Sequence, residues 1–208
     1  MSDLRGWGLL FPGQGAQAPG MGRAWAEAFP AAREVLDRAD RILGRPLSRA
    51  CFEGPAEELD RTDVAQPALF AVGAAVLAAL RAGFGVDPAR CGAALGLSLG
   101  EYTALHAAGS LSFEDGLALV ATRGRAMQRA SEERPSGMVS VLGLEEAAIE
   151  EACREASRKG ILAVANRNAP GQTVIGGEEA PLEEVQRLLK AKGARRLVRL
   201  KVAGAFHT

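Results

Sequence analysis

From residue 6 to about residue 131, short apolar runs alternate with stretches whose apolar residues recur at helical spacing. The runs "WGLLF" (7–11) and "CGAALG" (91–96) are almost continuously apolar, and each leads into a glycine-containing turn. Short apolar strands separated by helices are typical of a parallel sheet covered on both faces, so we predict an α/β fold. The helices are predicted at about 22–28, 30–43, 56–60, 66–82 and 99–108, and from the cap Ser112, with Asp115 three residues on, to about 130.

The pattern changes after the polar segment "SEERPSG" (131–137), which contains both proline and glycine and marks a boundary. The following segments predict strand, helix, strand, strand, helix and strand: "MVSVLGL", "EEAAIEEACREASRKG", "ILAVANRN", "QTVIGG", "APLEEVQRLLKAKG" and "ARRLVRLKV". This β-α-β-β-α-β order is that of a ferredoxin-like unit. We therefore predict a ferredoxin-like small subdomain over 133–202, inserted in a large α/β subdomain formed by 1–132 and 203–208. Because two strands make a thin sheet, we expect that the C-terminal part of the large subdomain is missing.

Composition excludes several classes of protein. The chain has 25 basic and 25 acidic residues and is 48% hydrophobic, which is ordinary for a globular protein and indicates no partnership with nucleic acid or a membrane. Cys51, Cys91 and Cys153 lie far apart, so we expect neither a disulfide framework nor a metal site, and we predict a cytoplasmic location. The apolar stretch 67–80 is too short for a bilayer of about 30 Å, and we predict a buried core helix there.

Residues 96–100 spell G-x-S-x-G, with Ser98 at the centre. The motif alone is weak, but it follows a predicted strand and precedes a predicted helix, which is the setting of a serine nucleophile on a sharp turn. The free N–H groups at the start of that helix would favour developing negative charge. The alternative is that Ser98 only caps the helix over 99–108.

A serine nucleophile needs a base, and the chain has two histidines. His106 follows Ser98 by eight residues, about 12 Å along a helix at roughly 1.5 Å per residue, and cannot reach the hydroxyl. By elimination His207 is the candidate base, the alternative being a terminal residue with no role. Arg123 lies at the edge of the apolar face of its helix and is either a surface residue or a fork for a substrate carboxylate.

The glycine-rich segment "FPGQGAQAPGMG" (11–22) superficially fits a dinucleotide fingerprint. Pro19 and Gly20 interrupt the helix that such a fingerprint requires, so we expect no nucleotide cofactor there. We predict instead a loop at the carboxyl end of a strand, where α/β sheets bind their ligands. Its backbone, for example the N–H of Gln14, is then available to an oxyanion.

Six segments together resemble malonyl-CoA:acyl carrier protein transacylases and the related acyltransferase domains of polyketide synthases. The similarity runs in the family order along the whole chain. The segments are "FPGQGAQ" (11–17), "TDVAQPAL" (62–69), "GLSLGEYTAL" (96–105), "RGRAMQ" (123–128), "NRNAPGQTVIGG" (166–177) and "VAGAFH" (202–207).

This resemblance implies an α/β-hydrolase-like large subdomain and a role for each candidate residue. Ser98 is implied as the nucleophile and His207 as its base, the N–H groups of Gln14 and Leu99 as the oxyanion hole, and Arg123 as the partner of the malonyl carboxylate. The implied reaction moves a malonyl group from malonyl-CoA, through a Ser98 ester, to the phosphopantetheine thiol of acyl carrier protein. The enzyme is expected to be a monomer of fatty acid synthesis that uses no cofactor and no metal.

Two features depart from the family pattern. Leu97 stands where the family usually has histidine, and the chain ends at Thr208, well short of the family's length. In the family, a main-chain carbonyl from the later part orients the residue corresponding to His207. Two alternatives therefore stay open: a serine thioesterase that releases the acyl group to water, and a truncated, non-catalytic domain that only binds carrier protein or coenzyme A.

Overall fold

The computed structural model describes residues 4–208, so the first three residues of the predicted large subdomain lie outside it. The chain divides into two compact units, Met1–Ala126 and Met127–Thr208. The division falls inside a helix, six residues before the boundary predicted at 132/133, and residues 203–208 group with the second unit. The assignment of 203–208 to the large subdomain stays a prediction.

The first unit contains a two-stranded parallel sheet. Strand β1 (Gly8–Phe11) pairs with β2 (Ala93–Gly96) in a register that places Leu10 beside Leu95. The α/β fold with a parallel sheet is thus confirmed. The helices are α1 (Arg23–Ala28), α2 (Pro30–Leu43), α3 (Leu47–Glu53), α4 (Ala56–Leu59), α5 (Thr62–Phe84), α6 (Gly100–Ala107) and α7 (Phe113–Glu133), the last of which contains the division between the units.

Helix α7 begins where the sequence predicts it. The hydroxyl of Ser112 accepts a hydrogen bond from the Asp115 N–H at 3.0 Å and donates one to the Asp115 carboxylate at 2.7 Å. This reciprocal cap satisfies a donor that the first helical turn would otherwise leave without a partner.

Helix α5 is the central helix of the first unit. It has 23 residues and extends beyond the apolar stretch 67–80 at both ends, so that by length and composition alone the whole helix, unlike that stretch, could cross a bilayer. The helix instead buries Phe70, Ala71 and Ala75 completely, in a cluster that includes Leu36 of α2 and Leu117 of α7. It is a core helix, as predicted.

The second unit is built on a four-stranded antiparallel sheet. The strands are β3 (Ser136–Leu142), β4 (Leu162–Ala169), β5 (Gln172–Glu178) and β6 (Arg196–Arg199), in the order β4-β5-β3-β6. Helix α8 (Glu146–Ala156) connects β3 to β4, and α9 (Glu179–Ala191) connects β5 to β6. The core of this unit includes the fully buried residues Val139, Ile149, Ile175, Leu182 and Leu189.

Candidate functional site

Ser98 occupies a sharp turn between the end of β2 and the start of α6. Its φ is 53°, in the left-handed region that a residue with a side chain rarely adopts. A Cβ on Gly96 would collide with the backbone of Gly100, and one on Gly100 would collide with the Phe11 carbonyl oxygen. Both glycines of the motif are therefore required by close backbone contact, and they allow the strand, turn and helix to meet around Ser98.

The loop after β1 packs against this turn. The N–H of Leu97 donates to the Phe11 carbonyl at 3.2 Å, and a Cβ on Gly13 would lie only 2.7 Å from the Leu97 carbonyl oxygen. The side chain of Gln14 donates from Nε2 to Oγ1 of Thr62 at 3.1 Å. The start of the glycine-rich loop is thus held by the turn, through Gly13, and by α5, through Gln14.

Leu99 directly precedes the first residue of α6 and is buried, with a relative exposure of 1%. The N–H groups at the start of a helix have no acceptor within the helix, and they carry its positive dipole end. The turn itself is closed by backbone bonds, from Gly100 N–H to the Leu97 carbonyl at 2.9 Å and from Glu101 N–H to the Ser98 carbonyl at 3.3 Å.

Arg123 reaches from α7 to the serine. Its Nη2 donates to Ser98 Oγ at 3.0 Å, its Nη1 donates to Gln66 Oε1 at 2.7 Å, and its guanidinium carbon lies 5.8 Å from the centre of the Tyr102 ring. The interpretation of Arg123 as a surface residue is therefore wrong. Within residues 4–208 no Asp or Glu carboxylate lies within 4.0 Å of its guanidinium. Neutral groups orient the arginine, and none of them cancels its charge.

Two buried polar residues that hold this site were not assigned roles from the sequence. Thr62 and Gln66 are both completely buried and lie one turn apart on α5, where one holds Gln14 and the other holds Arg123. The available signal was their spacing of four residues at the start of an otherwise apolar helix, since buried polar groups persist only with hydrogen-bond partners.

The two histidines have different surroundings. Nδ1 of His106 lies 3.0 Å from the Leu111 carbonyl oxygen, and its ring packs against Phe70 at 5.8 Å, so it is a half-buried structural residue of the first unit. His207 belongs to the second unit and is exposed, with a φ of 62°. Of the non-glycine residues in the described part of the chain, Ser98 and His207 are the two with positive φ.

The segment that carries His207 is fixed within the second unit by Ser136. The hydroxyl of Ser136 accepts a hydrogen bond from the Ala205 N–H at 3.0 Å and donates one to the Arg134 carbonyl at 3.0 Å. A Cβ on Gly204 would lie 2.7 Å from Cβ of Ser131, so this position requires glycine. Ser136, at the start of β3, therefore holds the backbone of Ala205, two residues before His207.

Residues 9–208 match the family described as acyl transferase domain. The chain belongs to the acyl transferase domain family. The chain is 42% identical over 201 residues to the malonyl CoA-acyl carrier protein transacylase of Bacillus subtilis, an alignment that covers 96% of the chain and 62% of that protein. The resemblance indicated by the sequence motifs is confirmed.

Solved structures give the same result. The acyl-carrier-protein S-malonyltransferase of Bartonella henselae has a TM-score of 0.90 and 40% identity, with coverage of 97% of this chain and 64% of that one. A malonyl-transacylase in complex with its type II PKS acyl-carrier protein has a TM-score of 0.89 and 37% identity, with coverage of 95% and 63%. The chain therefore spans less than two thirds of the length of each of these relatives.

Proposed function

We propose that this protein moves a malonyl group from malonyl-CoA to the phosphopantetheine thiol of acyl carrier protein, through an ester on Ser98. The observation that carries the proposal is the contact between Arg123 and Ser98: the guanidinium, which has no carboxylate within 4.0 Å among residues 4–208, donates to the hydroxyl at 3.0 Å. A short acyl group on that oxygen would meet a fixed cation. Relatives named as malonyl transacylases, one of them in complex with a carrier protein, support this assignment.

In the first half of the reaction, Ser98 Oγ attacks the thioester carbonyl carbon while His207 takes the hydroxyl proton. The N–H groups of Gln14 and Leu99 stabilise the oxyanion of the tetrahedral intermediate. Collapse of the intermediate breaks the carbon–sulfur bond, and His207 returns the proton to the leaving thiolate of coenzyme A. The carrier protein's thiol then attacks the ester by the reverse path and restores Ser98. The resulting kinetics are ping-pong, without a metal or redox cofactor.

Strained backbone supports the pairing of Ser98 with His207. Left-handed φ values in residues with side chains cost energy, and such residues are concentrated at active sites. Within the described part of the chain, the two residues with this conformation are the proposed nucleophile and the proposed base. Glycine would adopt either conformation without strain, so we infer that the side chains at 98 and 207 are kept for chemistry.

Arg123 would select malonyl over acetyl groups. A guanidinium binds a carboxylate through two parallel hydrogen bonds, and an acetyl group would leave the partly buried charge without that partner. Discrimination then comes from a group that the wrong substrate lacks, which is the stronger way to reject an analogue.

We also propose a finer assignment of the fold. The sheet order β4-β5-β3-β6, with α8 and α9 as its connections, supports a ferredoxin-like small subdomain. The parallel pair of β1 and β2, with Ser98 on the turn after β2, supports an α/β-hydrolase-like large subdomain, into which we propose that the small one is inserted. We further propose a cytoplasmic monomer of fatty acid synthesis whose partners are malonyl-CoA and acyl carrier protein.

The experiment is to incubate the protein with labelled malonyl-CoA and then add holo acyl carrier protein. We expect label on Ser98 that is chased onto the carrier protein, and no adduct in Ser98→Ala. The control Ser110→Ala changes an exposed serine just after α6 and keeps the adduct. Release of free malonate instead would indicate the thioesterase, and absence of any adduct in the wild-type chain would refute both enzymatic functions.

A further inference from the structure

Gln66 is a neutral side chain at a position where a carboxylate would be the usual partner of an arginine. It is completely buried near the start of α5, and its Oε1 accepts a hydrogen bond of 2.7 Å from Nη1 of Arg123. The other nitrogen of the same guanidinium, Nη2, donates to Ser98 Oγ. Gln66 therefore holds one terminal nitrogen of the guanidinium while the other is directed at the serine.

The distance between Gln66 and Arg123 is set by close packing of two helices. A Cβ on Gly124, the residue after Arg123, would lie 2.9 Å from the Thr62 carbonyl oxygen and 3.5 Å from Cβ of Gln66. Helix α7 thus touches the backbone of α5 through a glycine directly beside the arginine. This contact brings Nη1 within hydrogen-bond range of the amide and makes the orientation of the guanidinium a property of the helix pair.

We propose that Gln66 is a positioning residue that sets the charge preference of the acyl site. Its amide oxygen aims the Arg123 guanidinium at Ser98 without neutralising it, so the positive charge remains for an acyl group that carries a carboxylate. This inference rests on the proposed function. A glutamate in the same place would hold the arginine equally well but would satisfy its charge, and the acyl carboxylate would then face a neutral ion pair.

The test measures binding in a chain that cannot react. In the Ser98→Ala background, isothermal titration gives the affinities for malonyl-CoA and acetyl-CoA, and we expect malonyl-CoA to bind more tightly. Adding Gln66→Glu should reduce the ratio of the two affinities by about 10- to 100-fold, the factor that corresponds to one hydrogen bond to a charged group. Most of the change should be in the affinity for malonyl-CoA, because acetyl-CoA has no carboxylate that the arginine could bind.

A second variant separates orientation from charge. Gln66→Met has a similar volume and no hydrogen-bond acceptor, so the guanidinium keeps its charge but loses its support, and we expect a smaller fall in the same ratio. If Gln66→Glu does not fold, as judged by circular dichroism, the ratio of the two affinities in Gln66→Met tests the role of Gln66. The matched control is Gln186→Glu on α9, which makes the same charge change at a half-buried glutamine of the second unit and should leave the ratio unchanged.

An unchanged ratio in a folded Gln66→Glu or Gln66→Met chain would overturn the role of Gln66. Equal affinities for the two thioesters before any change at position 66 would overturn it as well, together with the role of Arg123. Neither result depends on catalysis, because residue 98 is alanine throughout. Failure of the proposed reaction is seen separately, as absence of a malonyl adduct on the wild-type Ser98.

Discussion

Arg123 Nη2 and Ser98 Oγ lie 3.0 Å apart, although the two residues are 25 positions apart in the sequence. The serine is carried by the turn between β2 and α6, and the arginine by the middle of α7. The strained turn presents the hydroxyl, and Gln66 turns the guanidinium toward it. The hydroxyl that we propose as the nucleophile therefore lies beside a cation that could bind a carboxylate on the attached acyl group.

Replacing Arg123 by lysine tests whether the planar guanidinium, with its two donating nitrogens, is needed in addition to the positive charge. An ammonium is a compact point charge and cannot reproduce the planar pair of donors that holds Gln66 and Ser98 at once. We expect kcat/KM for Ser98 acylation by malonyl-CoA to fall by about 10- to 100-fold, with a smaller change for acetyl-CoA. Arg125→Lys, two residues along α7 and exposed, is the control. Equal losses for both substrates would contradict the assignment.

Gly100→Ala tests the close approach that shapes the turn. The new methyl group would collide with the Phe11 carbonyl, so β1 and the start of α6 must separate. We expect the free energy of unfolding to fall by about 2 kcal/mol, as for overpacked cores, and Ser98 acylation to fall with it. The control Gly8→Ala adds the same methyl group on β1 with nothing within 4 Å. Urea denaturation of the two variants gives the comparison, and equal midpoints would be inconsistent with the described turn.

Some parts of this site could be predicted from the sequence because their signals are local. The spacing of Gly96, Ser98 and Gly100 predicts the turn, since strand, turn and helix are consecutive in the chain. The role of Arg123 stayed open at that level, because helical periodicity gives the face of a helix and not the partner across it. The family resemblance, not the periodicity, favoured a substrate carboxylate over a surface position as the explanation of Arg123.

The parts that were missed depend on tertiary contacts. Thr62 and Gln66 are polar, and the predicted helix began only at residue 66, whereas α5 begins at Thr62 and buries both side chains. Their burial is possible because Gln14 and Arg123 supply hydrogen bonds from segments distant in sequence. The short helix α3 was also missed, since its seven residues are too few for a clear period.

Ser136→Ala tests the support of the segment that carries His207. The change removes the acceptor of the Ala205 N–H and the donor to the Arg134 carbonyl. We expect a loss of about 1 kcal/mol in the free energy of unfolding and a larger proportional loss in Ser98 acylation, because the proposed base is less well held. Ser157→Ala removes a comparable bond, to the Arg154 carbonyl, in the same unit and serves as the control. Equal acylation rates in the two variants would argue against this role.

The three cysteines differ in burial, which predicts their reactivity. Burial, with the nearby charge of Asp40, raises the pKa of Cys51 to about 12, and burial, with that of Glu150, raises the pKa of Cys153 to about 11. Only thiolates react with iodoacetamide, so we expect mass spectrometry of the native protein at pH 8 to find one adduct, on the half-buried Cys91. Cys91→Ser should remove that adduct, and urea should expose the other two thiols.

The same pKa shifts predict how stability depends on pH. Each buried thiol keeps its proton in the folded state above pH 9.0, where the unfolded chain begins to release it. The stability that this burial contributes is therefore complete below pH 9.0 and is lost as the pH rises toward 11 and 12. We expect the urea midpoint to fall between pH 8.5 and about pH 11, and to fall less in a Cys51→Ala variant, whose buried methyl group does not titrate. A fall of the same size in that variant would assign the pH dependence to other groups.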